Sequence, residues 1–313
     1  DTPEEVFPAI GKHCGPYLKR VPDGEPGGRR LWISWQIPVL RANPSLAPVG
    51  EGLVPLKLAD GVAPEQLHFG ELGYYREARP SYEDFLRARE AGHIPPGVRF
   101  QVSLPTPLAV VMPFCRQPDA QQIVPAYERA MLREVERICA AIPHRDLAIQ
   151  WDVCIEMVQW DGRMPTRPPF PGMEHVFAGN FQRLGAIVPA DVELGFHLCY
   201  GDLDGKHFID PADATKMVEL ANLIARSVSR PLTWLHVPVP IDRTDDAFYE
   251  PFRNLRLHPD TELYLGLVHA QDGVEGTRKR IQTAKKHVPA FGIASECGIS
   301  PGRDPNLPLE FIK

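Results

Sequence analysis

Cysteine is scarce in this chain, with six in 313 residues. So thin a supply excludes the disulfide scaffold of a small secreted protein and leaves free thiols or metal ligands as the roles open to Cys14, Cys115, Cys139, Cys154, Cys199 and Cys297. Long apolar runs are also missing. None approaches the ~18–20 residues that a membrane helix needs, and the opening Asp1-Thr2-Pro3-Glu4-Glu5 does not read as a signal peptide, so a cytoplasmic protein without a membrane partner is expected. There is no excess of positive charge: 34 Lys and Arg stand against 40 Asp and Glu, a formal charge of −6, which argues against a nucleic-acid surface. A Gly-rich phosphate loop, a Walker lysine and a Gly-x-Ser-x-Gly elbow are all lacking, so no nucleotide cofactor is expected. Lys279-Arg280 and Lys285-Lys286 read as the solvated face of a helix.

What is present belongs to a folded globular protein, with 43% hydrophobic and 24% charged residues. In the second half, strand-like and helix-like segments alternate. Val192, Leu194, Phe196 and Leu198 lie on one face of a strand, with Glu193, Gly195, His197 and Cys199 on the other. Asp210-Pro211 then reads as the start of a helix whose apolar positions run from Met217 to Val228. Strands at 232–236, 263–269 and 291–297 follow, separated by helices near 245–253 and 274–287. Earlier, a helix at 4–17, a short strand near 19, strands at 99–103 and 147–152, and a helix ending near Ile142 fit the same alternation. Strand-then-helix repetition predicts an α/β fold with a parallel sheet. The seven strands counted are one short of a (β/α)8 TIM barrel, whose first strand would precede residue 1. The expectation is a single TIM-barrel domain over 1–313 with long substrate loops at about 26–97 and 156–175, both rich in Pro, Gly and Trp.

Chemistry concentrates at strand ends. His197 and Cys199 stand two apart on one strand, so their side chains share a face about 6.6 Å apart along the backbone. His236, His269 and Cys297 each end a later strand, and in a parallel barrel those ends converge on one rim. Taken singly, each is equally an ordinary buried side chain. As a set of two thiols and one or two imidazoles they suit a tetrahedral zinc site, catalytic if three protein ligands leave the fourth position exchangeable. Pro22-Asp-Gly-Glu25 followed by Arg29-Arg30 puts Asp23, Glu25 and Arg30 at the same rim, although Pro-Asp-Gly is also a plain turn. Trp32, Trp35, Trp151, Trp160 and Trp234 read as pocket walls or as packing. His207 is a neighbour of the ligand strand or a solvated loop residue.

Three stretches, Phe196-His-Leu-Cys-Tyr-Gly201, Ile149-Gln-Trp-Asp152 and Ser295-Glu-Cys-Gly298, resemble the zinc-bearing C-terminal barrel of cobalamin-independent methionine synthase. The wider superfamily includes uroporphyrinogen decarboxylase and corrinoid- or coenzyme-M-linked methyltransferases. The resemblance spans roughly 150 residues, and it implies a (β/α)8 barrel whose zinc binds a thiol and activates it as a thiolate. Residue by residue, it implies His197, Cys199 and Cys297 as zinc ligands, His269 as the catalytic histidine and Asp152 as the acidic residue of the family's Ile-Gln-x-Asp-Glu-Pro motif. The chain departs from the family in two places. His236 stands where the family has a glutamate ligand, and the second carboxylate of the acidic motif is displaced to Glu156.

The function expected on these grounds is a zinc-dependent methyl- or alkyl-transferase acting on a small-molecule thiol. His269 moves a proton, and Asp152 or Glu25 holds a cationic substrate group. Asp23, Arg30, Trp151 and Glu156 complete the expected substrate contacts. The donor is left open among a methylated pterin, an aryl methyl ether and an epoxide. Two alternatives keep the metal and change its use: a zinc-dependent lyase, decarboxylase or hydrolase, and a binding protein whose zinc is structural.

Overall fold

The computed structural model describes residues 2–201 and 206–298. The chain forms two compact units, one of Asp1–Ala148 with Ile187–Val192 and one of Ile149–Ala186 with Glu193–Lys313.

The first unit opens with helix α1 (Pro3–Cys14), which Thr2 caps while Glu5 reaches back to the Thr2 N–H at 3.0 Å. Strand β1 (Arg20–Pro22) follows. Next come the short helix α2 (Ile37–Arg41) and the antiparallel pair β2 (Leu46–Pro48) and β3 (Leu56–Leu58). Helix α3 (Tyr74–Glu90) leads to β4 (Arg99–Pro105), which runs parallel to β1. Helices α4 (Pro107–Phe114) and α5 (Asp119–Ala141) close the unit. Its core is aromatic. Phe7 of α1, Tyr82 and Phe85 of α3 and Phe100 of β4 lie with ring centroids 5.7–6.3 Å apart, a spacing at which edge-to-face and offset rings attract.

The stretch 26–97 is therefore only partly irregular. Helix α3 is not obvious in the sequence, because Pro80 interrupts it and arginine and glutamate fill its outer face. It forms all the same. Tyr74, Ala78, Ser81, Tyr82, Phe85 and Ala88 recur at helical spacing and are all buried. Glu134 of α5 accepts from the Leu72 and Tyr75 amides at 3.0 and 2.7 Å, placing a carboxylate at the helix N-terminus.

The second unit begins within β5 (Leu147–Val153) and continues through helices α6 (Ile155–Asp161) and α7 (Met173–Ala186). Strand β6 (Glu193–Leu198), helix α8 (Thr215–Ser227), strand β7 (Trp234–Pro238) and the single turn α9 (Asp246–Tyr249) follow. Strand β8 (Glu262–Val268), helix α10 (Gly273–Ala284) and strand β9 (Gly292–Ser295) end the described chain. Strands β5 to β9 lie side by side in sequence order, and β6 to β9 pair in parallel throughout. Each of the seven strands expected from the sequence is found. The 156–175 stretch holds most of α6 and the start of α7, leaving a shorter connection between them.

Two local expectations need correction. Helix α8 starts at Thr215, not at Asp210-Pro211, because the Asp213 carboxylate accepts from the Thr215 amide at 2.8 Å and opens the helix there. Arg280 is not solvated: it is fully buried and donates to the carbonyls of Leu267 and Ile241 at 2.9 and 2.6 Å. It also meets both oxygens of Asp272, at 2.6 and 2.7 Å. A buried guanidinium is tolerable only with its donors so occupied. Among the described residues no helix is long and apolar enough to cross a membrane.

Candidate metal centre

The expected ligand residues come together within the second unit. One ligand atom each of His197, Cys199 and Cys297 lies within 4.8 Å of the other two. Strand β6 supplies His197 and ends just before Cys199, whose amide donates to the Val153 carbonyl at the end of β5 (3.0 Å). Cys297 arrives from the turn after β9. That turn is brought close by Gly266 of β8, where a Cβ would stand 2.7 Å from the Glu296 Cα. The Cys199 and Cys297 sulfurs are 3.2 Å apart. Two sulfurs on one zinc, each at about 2.3 Å, can be no more than about 4.6 Å apart, so this separation is within reach of a shared ion.

His197 supplies the test of fit. The residue is 5% exposed, and neither ring nitrogen has a hydrogen-bond partner among the described residues. A buried imidazole with both nitrogens unsatisfied costs free energy unless something binds there. Burial, reinforced by the neighbouring His236 ring and opposed by the His236 backbone, pushes its pKa well down, so the imidazole is neutral and needs no deprotonation to act as a ligand. Cys199 is pushed the other way, chiefly by its side-chain interaction with Cys154 and also by burial, against a lowering contribution from Cys297. Its thiol therefore keeps the proton until a cation displaces it. Two soft sulfurs and one neutral imidazole are a donor set that fits zinc.

The other expected residues fall into place unevenly. His236 stacks on His197 with centroids 4.3 Å apart, and its Nε2 meets the Ser295 carbonyl at 3.0 Å. Burial lowers its pKa to about 4. It stands beside the trio without joining it. His269 is buried, with Nε2 donating to the Val239 carbonyl at 2.8 Å and Nδ1 3.5 Å from Glu296 Oε2. Burial lowers its pKa, with Glu296 opposing. Glu296 Oε1 is 2.9 Å from His207 Nε2, although off hydrogen-bond alignment, and His207 Nδ1 is 3.1 Å from Asp210. Glu296 and Asp210 raise the His207 pKa despite burial. A chain of acid–base groups thus leads from buried His269 to exposed Asp210. Asp152 is nearly buried and accepts from Gln150 Nε2 at 2.9 Å. Glu156 is buried in the first turn of α6. Trp151 is fully buried and donates to the Leu184 carbonyl at 3.1 Å, so it packs the unit's interior.

Asp23, Glu25 and Arg30 belong to the first unit. Asp23 is taken up internally by Arg29 and Ser81, both at 2.6 Å, and by the Glu25 amide at 2.9 Å. Arg29, and not Arg30, is its partner; Arg30 is half-buried. Glu25 and Trp32 hold φ values of 47° and 50°, a region costly for residues with a Cβ. With Arg29 and Trp35 they line a cavity of about 30 Å³, room for a water molecule or so and not for an organic substrate.

Two residues of the same unit were given no specific role by the sequence, Cys154 and Glu296. Cys154 directly follows β5 as Cys199 follows β6, so the strand-end rule applied one strand earlier would have found it. Glu296 carried no separate signal; its position beside Cys297 matters only once His269 and His207 are seen to meet it.

No family model matches the chain. No curated protein matches it either. Among solved structures, it aligns with a Listeria monocytogenes protein described as a vitamin-B12-independent methionine synthase at a TM-score of 0.60 and 15% identity, over 99% of this chain and 84% of that one. An old yellow enzyme homologue from Zymomonas mobilis aligns at a TM-score of only 0.29 and 16% identity, over 62% of this chain and 48% of that one, too remote to inform the fold. The first alignment shows that this chain shares the fold of the Listeria protein.

Proposed function

We propose that the chain is a zinc-dependent methyl- or alkyl-transferase that takes a small thiol as substrate, with its parallel strands forming part of a closed eight-stranded barrel. One observation carries the reading: a buried imidazole with two unsatisfied nitrogens stands beside two thiols gathered from sites 98 residues apart in sequence. The shared fold with a protein described as a methionine synthase supports it. His197, Cys199 and Cys297 would hold the ion. Bound there, zinc would lower the pKa of a thiol and keep it nucleophilic at neutral pH.

The remaining work falls to side chains of the same unit. His269, neutral through burial and with its Nε2 proton given to the Val239 carbonyl, takes up at Nδ1 the proton that the thiol loses and returns it to the leaving group, with the Glu296 carboxylate 3.5 Å away to stabilise the charged ring. Asp152 and Glu156 are the carboxylates suited to a cationic substrate group.

A selenium-for-sulfur probe tests the thiol step. With selenocysteine and selenohomocysteine added to the zinc-loaded protein, X-ray absorption at the zinc edge is expected to show a zinc–selenium distance. A site that exchanges only oxygen ligands under the same conditions contradicts thiol activation and favours Lewis-acid chemistry on a carbonyl substrate.

A further inference from the structure

The two sulfurs of the trio stand at a separation that serves a second chemistry besides metal binding. Cys199 Sγ and Cys297 Sγ are 3.2 Å apart, a thiol–thiol contact between residues 98 apart in sequence. A disulfide bond is ~2.05 Å long, so the pair has about 1.2 Å left to close. That shift falls on a turn and not on a strand, because Cys297 lies beyond the end of β9. The two thiols also differ in access. Cys297 is half-buried, whereas Cys199 is only 5% exposed, so a small oxidant entering from solvent meets Cys297 first, with Cys199 in contact with it. The Gly201 amide donates to the Cys199 sulfur at 3.2 Å and holds it beside its neighbour. An accessible cysteine poised next to a second, resolving cysteine is the arrangement that peroxide-sensitive sites use.

We propose that Cys297 is an oxidation site for hydrogen peroxide and that Cys199 resolves it into a Cys199–Cys297 disulfide. In the first step the Cys297 sulfur attacks one peroxide oxygen and the O–O bond breaks. The departing hydroxide takes the thiol proton and leaves as water, and Cys297 becomes a sulfenic acid. In the second step the Cys199 sulfur attacks the Cys297 sulfur. The S–S bond forms as the S–O bond breaks, and the hydroxide leaves as water with the Cys199 proton. Two electrons pass from the sulfur pair to the peroxide, and a dithiol reductant reverses the change by exchange. The bond itself needs no metal, but its consequence rests on the metal reading given above. Since the thiolate is the form that binds a metal, a disulfide withdraws two of the three donors and leaves His197 alone. Oxidation and metal binding then exclude each other.

Peptide mapping on the full chain tests this. Wild-type protein, with and without EDTA, is treated with hydrogen peroxide, its remaining thiols are blocked with iodoacetamide, and its peptides are read by mass spectrometry. The EDTA-treated protein is expected to yield a peptide pair linked through Cys199 and Cys297, about 2 Da lighter than the two thiol peptides together and separated again by dithiothreitol. Cys199→Ser should abolish the link and leave Cys297 as a sulfenic or higher acid, and Cys297→Ser should abolish it as well. Protein preloaded with zinc is expected to form the link about tenfold more slowly, or slower still. Both cysteines recovered without a link from the wild type, or Cys199 joined to Cys154 instead, would overturn the proposal and leave the metal trio standing. A link that forms equally fast with and without zinc contradicts the metal reading and leaves the oxidation site in place.

Discussion

Gly266 and Glu296 approach so closely that a Cβ on Gly266 would lie 2.7 Å from the Glu296 Cα and 3.0 Å from the Ser295 carbonyl. The obstruction is backbone, which cannot rotate aside as a side-chain tip can. Gly266→Ala is therefore expected to push the Glu296–Cys297 turn away from β8 and draw the Cys297 sulfur out of the trio. Zinc affinity should fall by about tenfold or more, with circular dichroism close to wild type. Unchanged affinity would mean that the turn is not held by this contact.

Zinc uptake is expected to strengthen with pH. Each cysteine must lose its proton to bind, and the Cys199 thiol is held well above its ordinary value, first by its interaction with Cys154. His197 adds nothing to the dependence, since burial already keeps it neutral. The two thiols of the trio can contribute a slope of at most about two powers of ten per pH unit. Chelator competition between pH 6 and 8 measures it, and a flat profile would exclude thiolate ligation.

Arg280 is expected to be a stability residue. Arg280→Met leaves Asp272 and the Leu267 and Ile241 carbonyls without their donor, at a cost of about 3–5 kcal/mol in urea unfolding. The guanidinium also holds the Asp272 carboxyl below its ordinary range, opposed by burial. A depressed carboxylate contributes stability above its unfolded pKa, near 3.9, and loses it as pH falls through the lower folded value. Wild-type stability should accordingly drop more steeply than that of the variant as the pH is taken from 5 toward 2. Parallel curves would show that the pair is not linked to folding.

Asp23→Ala is expected to destabilise the first unit. It removes the acceptor of Arg29, Ser81 and the Glu25 amide together and leaves a largely buried guanidinium with only the longer 3.7 Å pairing to Glu77, which costs about 3 kcal/mol. Zinc content, which depends on the second unit, should stay at the wild-type level in the folded fraction. A stable variant would return Asp23 to the list of candidate ligand contacts.

The strand–helix order was legible because buried parallel strands write themselves as apolar runs, as in Leu263-Tyr-Leu-Gly-Leu-Val268. The gathering of His197, Cys199 and Cys297 was legible for a related reason: in such a sheet, residues that end successive strands become neighbours. Helix α3 was hidden by Pro80 and a charged outer face, and the burial of Arg280 by an Asp272 contact that composition does not reveal. His236 shows a further limit. Its strand-end position was read correctly, but a backbone carbonyl engages its nitrogen, and only coordinates show which acceptor a side chain finds.

The most direct measurement is zinc content per chain in the wild type and in the His197→Ala and Cys297→Ala variants, each checked for native circular dichroism. Close to one zinc per chain is expected in the wild type and a large loss in both variants. Full retention by both, or a folded wild-type protein that binds none, would contradict the metal centre and every chemical step that depends on it.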